Sequence, residues 1–222
     1  MQQRTDEAAG PGRYDAAPYL PRLNAGLAAL RRAAADCHGC PLFEGASQTV
    51  FGAGDTRARL MLVGEEPGDQ EDRAGEPFVG PAGRLLARAT EDAGIDPDHT
   101  YLTNAVKHFK FTRPGGGKRR IHKSPTLREM SACRPWLDAE LRQVAPEVVV
   151  TLGATAGRAL LGSSFRVTRE RGVLRPLPGA DDGTRLVATI HPSAVLRADD
   201  SDRAAAYDGL VADLRVAVTA LG

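Results

Sequence analysis

Two short segments of this sequence carry acidic and histidine side chains that could take part in catalysis. Glu65 and Glu66 follow an apolar run that stops at Gly64, and His191 follows another apolar run nearer the C-terminus. Paired glutamates at a strand end could position a water molecule, act as a base or bind a ligand through nearby backbone N–H groups. Taken alone, the glutamates could equally belong to a surface turn, and the histidine could make a structural hydrogen bond.

A third candidate ends the basic run KRRIH, at His122. The positive side chains around it, Lys123 included, should disfavour the imidazolium form and hold the ring neutral. A neutral imidazole keeps a free lone pair and can act as a nucleophile. By composition alone, the same run could be a phosphate-binding loop.

Two further side chains could recognise a nucleobase. Phe78 lies in the segment GEPFVG, where an aromatic ring held between proline and glycine could stack on a base. Asn104 ends the run TYLTN, and its amide offers the donor and acceptor that match the edge of a pyrimidine. The alternatives are an aromatic plug in the core and a turn-forming asparagine.

Three cysteines indicate a metal or cluster site more than a disulfide framework, because their number is odd. Cys37 and Cys40 form a C-x-x-C pair, and Cys133 lies far from them in the sequence. The C-x-x-C spacing lets two thiolates reach one metal ion or one iron–sulfur cluster.

Charge is unevenly distributed along this chain of 222 residues, whose formal net charge is only +1. Residues 99–128 contain no Asp or Glu but eight Lys and Arg side chains, which predicts either contact with phosphate or a solvated loop. The small net charge argues against a uniformly basic DNA-coating protein. No apolar run approaches the roughly 20 residues that span a bilayer, and residues 1–20 lack the apolar core of a signal peptide. We therefore expect a cytoplasmic protein with no membrane partner.

Hydrophobic periodicity predicts the elements that must position these residues. Residues 1–20 are predicted to be a flexible tail and residues 21–222 a single domain. The predicted strands are 59–64, 100–106, 147–152 and 185–190, with a further strand within 165–178. The predicted helices are 23–35, 82–93, 126–144, 153–161 and 204–221, and 65–80 is predicted to be a long polar loop. This alternation predicts a three-layer αβα fold with a central, mainly parallel sheet of about four strands, whose strand ends gather the candidate residues at one edge.

Six segments resemble the uracil-DNA glycosylases, and most closely their iron–sulfur group, family 4. The segments are C-x-x-C at 37–40, GEEPGDQED at 64–72, GEPFVGPAGRLL at 75–86, TNAVK at 103–107, CRPWL at 133–137 and HPS at 191–193. Each is weak alone, but six in order over about residues 20–200 are specific. The resemblance implies the uracil-DNA glycosylase fold and uracil-containing DNA as the partner.

Two departures from the family 4 pattern narrow the resemblance. His108 follows TNAVK where family 4 has a cysteine, and the KRRIH segment at 118–122 is an insertion. Both look like the family X branch (UdgX), which binds uracil-DNA covalently instead of turning over. The resemblance then implies a [4Fe-4S] cluster held by Cys37, Cys40, Cys133 and His108. Zinc in a Cys₃His site is the alternative.

The resemblance also implies a role for each candidate residue. His191 would donate to the uracil oxygen that gains charge, and His122 would capture C1′ of the sugar. Glu65, which matches the water-positioning residue of family 4, would orient the imidazole or accept its proton. The implied substrate contacts are Gly64, Glu66, Gly68, Asp69, Phe78, Asn104, Arg119 and Arg120. In this set Phe78 stacks on uracil, Asn104 pairs with its polar edge, and the two arginines contact flanking phosphates.

Three other functions fit parts of the sequence. The first is a turnover uracil-DNA glycosylase of the family 4 type, which releases an abasic site. The second is a non-catalytic module that binds uracil-DNA or single strands, and the third is an iron–sulfur electron carrier. For the main prediction, single-stranded DNA is the favoured form of the substrate, and the chain is expected to be a monomer.

Overall fold

A computed structural model describes residues 14–22, 25–180 and 183–222. In these ranges the strands are Ala53–Gly54 (β1), Leu60–Gly64 (β2), Thr100–Asn104 (β3), Phe111–Thr112 (β4), Ile121–His122 (β5), Val148–Leu152 (β6), Arg175–Pro176 (β7) and Arg185–Thr189 (β8). The α-helices are Leu27–Ala34 (α1), Asp69–Ala74 (α2), Pro81–Asp92 (α3), Leu127–Val144 (α4), Gly153–Leu161 (α5), Val167–Glu170 (α6), Pro192–Arg197 (α7) and Asp200–Leu221 (α8). Short 3-10 helices cover Ala17–Tyr19, Pro41–Glu44, Pro97–His99 and Pro114–Gly116.

The central sheet has four parallel strands in the order β3-β2-β6-β8. The two-residue strands β1 and β7 extend its edges in the antiparallel direction. The predicted, mainly parallel sheet of about four strands is therefore confirmed. β7 lies within 165–178, where a further strand was predicted, whereas β1 is too short to produce a detectable pattern. A separate antiparallel hairpin, formed by β4 and β5, carries the end of the basic run KRRIH, including His122.

Successive residues of each central strand face opposite layers of helices. Leu60 and Leu62 pack in one core with α3, α7 and α8, whereas Met61 and Val63 pack in a second core with α4 and α5. Both faces are covered, which is why the strands read as unbroken apolar runs. Helix α1 packs on the outer side of α4, in a third cluster that contains all three cysteines. None of the described helices is long and apolar enough to cross a membrane.

The predicted capping box at the start of α4 is confirmed. The Thr126 hydroxyl accepts from the Glu129 N–H (3.3 Å), and the Thr126 N–H donates to Oε2 of Glu129 (2.6 Å). Each residue thus satisfies a backbone donor that the first helical turn leaves without a partner. These two hydrogen bonds fix the residue at which α4 begins after the basic segment 118–123.

The predicted polar loop at 65–80 contains the six-residue helix α2. Its sequence, DQEDRA, has no apolar stripe, so periodicity could not reveal it. Glu71 holds the helix in place by accepting from the N–H groups of Gly68 (3.1 Å) and Gly80 (2.7 Å). The segment is therefore a closed, hydrogen-bonded structure.

The N-terminal segment differs from the predicted tail where it is described. Residues 1–13 of that prediction, and residues 23–24 of the predicted helix 23–35, lie outside the described residues. Ala16 is buried, and its N–H donates to the Ala132 carbonyl in α4 at 2.9 Å. Residues 14–20 therefore form part of the packed domain.

Candidate active site

The carboxyl ends of the parallel strands open into a cleft of about 940 Å³. Its walls come from the segments that follow β2, β3, β6 and β8, together with the β4–β5 hairpin. Seven of the predicted site residues line it: Glu65, Glu66, Gly68, Phe78, Asn104, His122 and His191. Ligands bind at this edge in open α/β sheets. Residues far apart in the sequence thus converge where a ligand is expected.

His122 contacts both glutamates, and Glu66 is the nearer one. Its Nε2 lies 3.0 Å from Oε1 of Glu66 and 3.7 Å from Oε1 of Glu65. The Glu66 side chain is fully buried, whereas the histidine ring is half exposed. Burial raises the pKa of Glu66 to about 8, although His122 pulls it in the opposite direction. No pattern in the sequence indicated that the Glu66 side chain would face the histidine.

The predicted low pKa of His122 was wrong. Its hydrogen bond to Glu66 raises the pKa above the ordinary histidine value, and burial opposes this only in part. The two carboxylates contact the ring and raise its pKa, so they outweigh the basic side chains that were expected to lower it. The contact with the carboxylates thus favours the charged form of the ring, the opposite of what the basic run suggested.

The hairpin that carries His122 is fixed to α2 through Arg120. The guanidinium forms ion pairs with Asp69 and Asp72, with Nη1 at 2.5 Å from Oδ2 of Asp72. Asp72 is completely buried and also accepts from the backbone and hydroxyl of Ser47. Arg120 was expected to contact a flanking phosphate and Asp69 to contact the substrate, and the structure pairs their side chains with each other. Arg119, the neighbour of Arg120, is exposed.

Gly64 permits the close approach of the two side chains that were predicted to recognise the base. A Cβ at this position would lie 2.3 Å from Oδ1 of Asn104 and 2.6 Å from Cζ of Phe78. Phe78 has a positive φ of 58°, which is uncommon for a residue other than glycine. The backbone thus adopts an unfavourable conformation that directs this ring to the floor of the cleft.

Asn104 is held from beneath by Lys107, a role that the sequence did not reveal. The buried Lys107 ammonium donates to the Asn104 carbonyl and to the Thr103 hydroxyl, both at 2.7 Å, and pairs with the buried carboxylate of Glu140. Glu140 lies in α4, so this network connects the end of β3 to the helix behind the sheet. It restrains the backbone that presents the Asn104 amide.

His191 is held in one tautomer by Ser193. The Ser193 N–H donates to Nδ1 of the ring (3.1 Å), which places the ring proton on Nε2. Burial lowers the pKa of His191 to about 4, so the ring is neutral at pH 7. A neutral imidazole with a defined N–H is a suitable donor to an oxygen that gains charge.

Sequence reasoning also missed two basic residues of the cleft, Arg158 and Arg197. Both lie on short helices that follow the ends of β6 and β8. The one feature of the sequence that could have indicated them is their place in the chain, a few residues after the end of a predicted strand. The cleft is thus lined by two arginines in addition to His122 of the hairpin.

The cysteines lie together in the third core, where their surroundings fit a bound cluster. Cys37, Cys40 and Cys133 are all buried. The Trp136 indole N–H lies 3.2 Å from Sγ of Cys37, and the Lys107 backbone N–H lies 3.3 Å from Sγ of Cys133. Such N–H···S contacts stabilise thiolates that bind iron. Without a metal ion, burial raises the pKa of Cys133 to about 12.

His108 is held in a tautomer that leaves one ring nitrogen free to bind a metal. Its Nε2 lies 3.0 Å from the Thr49 hydroxyl, which itself donates to the Ala34 carbonyl. The hydroxyl proton is thus used, so Nε2–H is the donor and Nδ1 keeps a free lone pair. Burial lowers the pKa of His108 to about 4, which keeps the ring in the neutral form that metals bind.

Comparison with known proteins agrees with this arrangement. The model of the uracil DNA glycosylase superfamily matches residues 51–215. A type-4 uracil-DNA glycosylase of Thermotoga maritima is 36% identical over 72% of this chain and 78% of its own length. The type-4 enzymes of Sulfurisphaera tokodaii and Pyrobaculum aerophilum are 33% and 34% identical, over 72% and 73% of this chain and 71% and 80% of their own lengths. The chain therefore belongs to the uracil-DNA glycosylase superfamily, close to family 4.

Proposed function

We propose that this protein excises uracil from DNA and becomes covalently linked to the resulting C1′ through His122, as family X does. The observation that carries this proposal is the position of the imidazole. The hairpin holds His122 in the same cleft as the base-recognition residues and within 3.0–3.7 Å of two glutamates. In that position a ring nitrogen can reach the sugar of a bound nucleotide.

Base recognition uses Phe78 and Asn104. The target nucleotide must leave the helical stack, or already be single-stranded, before it can enter the cleft. Phe78 stacks on the uracil ring and the Asn104 amide pairs with its polar edge. Gly64 leaves room for both side chains at the cleft floor. Single-stranded DNA is favoured because no base pair has to be broken.

Cleavage of the glycosidic bond leaves its electron pair on uracil. His191 donates from Nε2–H to the uracil oxygen that gains the charge, and Ser193 holds the ring in that tautomer. The developing charge meets a preorganised donor, so little rearrangement is needed during the reaction. The sugar is left electron-deficient at C1′.

Capture of C1′ forms a bond to a ring nitrogen of His122. The nitrogen lone pair enters the new bond, and the proton that the ring carries passes to a glutamate. Glu66 is the nearer acceptor and Glu65 the second one. The product is an N-linked sugar with no neighbouring group to expel it, so the adduct persists.

The buried thiol site is proposed to hold a [4Fe-4S] cluster through Cys37, Cys40, Cys133 and His108. A single tetrahedral zinc ion would bring sulfur atoms within about 3.8 Å of one another. Among the described residues, the one group of three or more ligand atoms found within 4.8 Å is elsewhere, at Glu65, Glu66 and His122. This spacing favours the larger cluster, which when bound would join the end of α1 to α4 and the segment after β3.

Phosphate contacts are proposed for Arg119, Arg158 and Arg197. Arg119 is exposed at the hairpin, and the other two line the cleft. Such contacts position a strand without reading its sequence. The proposed species is a monomer that binds uracil-containing DNA.

A turnover glycosylase is the second candidate, because the similar curated proteins are type-4 enzymes. One experiment separates the two. The purified protein is mixed with a 5′-labelled single-stranded oligonucleotide that carries one uracil, boiled in SDS and run on a denaturing gel. A band shifted by about the protein's mass supports covalent capture. Strand breakage after hot alkali without a shift indicates turnover. The absence of both the shifted band and the strand breakage would refute catalysis.

A further inference from the structure

The cleft contains a group of ligand atoms that the glycosylase reaction does not explain fully. Oε1 of Glu65 and both carboxylate oxygens of Glu66 are buried, and the polar groups that meet Glu66 are the His122 ring and the Lys110 backbone. Two carboxylates so close together repel each other, and burial makes the repulsion stronger. The half-exposed ring of His122 lies against both, with Nε2 at 3.0 Å from Glu66 and 3.7 Å from Glu65. The capture step needs only one glutamate to accept the proton of His122, so the second glutamate has no role in that step.

We infer that Glu65, Glu66 and His122 form a binding site for one divalent transition-metal ion, with Zn²⁺ as the representative. One atom from each residue, Nε2 of the histidine included, lies within 4.8 Å of the other two. The two N···O separations are 3.0 and 3.7 Å. They bracket the about 3.3 Å that separates neighbouring ligands around a tetrahedral ion with bonds of about 2.0 Å.

The donor types determine which ions fit. An imidazole with two carboxylates suits zinc and similar borderline metals, whereas magnesium and calcium prefer oxygen ligands alone. Three protein ligands leave a fourth position for water, and the exposed side of His122 provides the path of entry. Arg197, which lines the same cleft, opposes the cation, but two carboxylates outweigh one guanidinium.

Metal binding would have a direct consequence for DNA capture, and this consequence rests on the proposed function. The ion occupies the Nε2 lone pair of His122 and withdraws electron density from the ring. The ring then cannot form a bond to C1′. Zinc and the sugar therefore compete for the same residue, and bound zinc keeps the protein from reacting with DNA.

The test measures zinc binding to the cluster-loaded protein without DNA. Protein is dialysed anaerobically against ZnCl₂, and bound zinc and retained iron are both determined. The wild type should bind one zinc per chain with iron unchanged. Glu66→Gln and His122→Gln should each weaken this binding at least tenfold. His99→Gln is the matched control, because His99 also contacts a carboxylate, at 2.7 Å from Asp96, but outside the cleft. It should bind zinc like the wild type.

Two results would overturn the inference. Zinc uptake that is the same in wild type, Glu66→Gln and His122→Gln would exclude these ligands. Uptake matched by loss of iron would place the zinc on the cysteines. His122 is half exposed, so its replacement tests the site even if Glu66→Gln unfolds. Zinc binding with the expected residue dependence, together with no DNA adduct from the zinc-free protein, would leave the metal site standing and refute the proposed capture.

Discussion

Arg120 lies 2.5 Å from the buried carboxylate of Asp72, and this ion pair joins the hairpin of His122 to helix α2. The Arg120 side chain keeps only 7% of its surface exposed. It also lies over the rings of Phe109 and Phe111, at 5.3 and 5.1 Å from their centroids. The position of the proposed nucleophile thus depends on a contact between segments about fifty residues apart.

Replacement of Arg120 by methionine should weaken covalent capture more than uracil recognition. The variant leaves Asp72 buried without its cation, which costs about 3 kcal/mol of stability. The hairpin loses its anchor, so the rate of adduct formation should fall at least tenfold in single-turnover gels. Urea unfolding reports the stability change.

Arg119→Met is the matched control for Arg120→Met. Arg119 is exposed, so its loss should leave stability unchanged and reduce the salt dependence of DNA binding by about one phosphate contact. If both variants behave alike, Arg120 does not anchor the hairpin. If the Arg120 variant alone loses salt dependence, Arg120 contacts phosphate as the sequence had suggested.

The roles of Arg120 and Glu66 could not be predicted from the sequence, unlike the main helices and strands. The central strands, the α4 capping box and helix 153–161 could be predicted because apolar runs and capping residues act over a few positions. A basic run looks the same whether it faces phosphate or buried aspartates, and the partners of Arg120 lie 51 and 48 residues away. Which of two adjacent glutamates faces His122 depends likewise on tertiary packing.

Replacement of His122 by serine should abolish the SDS-stable adduct. Serine is too short to reach the sugar position that the imidazole occupies, whereas His191, Phe78 and Asn104 remain in place. Uracil release should continue with water as the acceptor, which leaves an abasic site that hot alkali cleaves. The denaturing gel used for the wild type distinguishes these products. An adduct of unchanged yield in His122→Ser would show that another residue captures C1′.

Acidification should destabilise the protein partly through His191. The folded pKa of about 4 lies below the ordinary value of 6.5, so between these values the unfolded state binds more protons than the folded state. The contribution of the neutral ring to the free energy of unfolding is therefore complete above pH 6.5 and is lost as the pH falls towards 4. His191→Asn should show a shallower fall in the free energy of unfolding over this window.

His99→Asn provides the control of opposite sign for this titration. Contact with Asp96 raises the pKa of His99, so the charged ring contributes at low pH and its contribution is lost as the pH rises. Removal of His99 should thus make the acid-side fall slightly steeper or leave it unchanged. Urea unfolding between pH 4 and pH 7 measures both variants. Equal pH profiles for wild type and His191→Asn would contradict the buried, neutral state of His191.

Addition of a single methyl group at Gly64 should disable base recognition while the catalytic histidines remain. The Cβ of Gly64→Ala would lie 2.3 Å from the Asn104 amide oxygen and 2.6 Å from the Phe78 ring, and contacts this short force one of the two to move. We expect uracil release to fall by about 10²-fold, since small misplacements of a bound group cost factors of this size. Gly26→Ala is the control, because no atom lies within 4 Å of its added Cβ and its φ of −68° is ordinary. Single-turnover rates on saturating single-stranded substrate measure the difference. Wild-type rates in Gly64→Ala would mean that Phe78 and Asn104 do not hold uracil at the floor of this cleft.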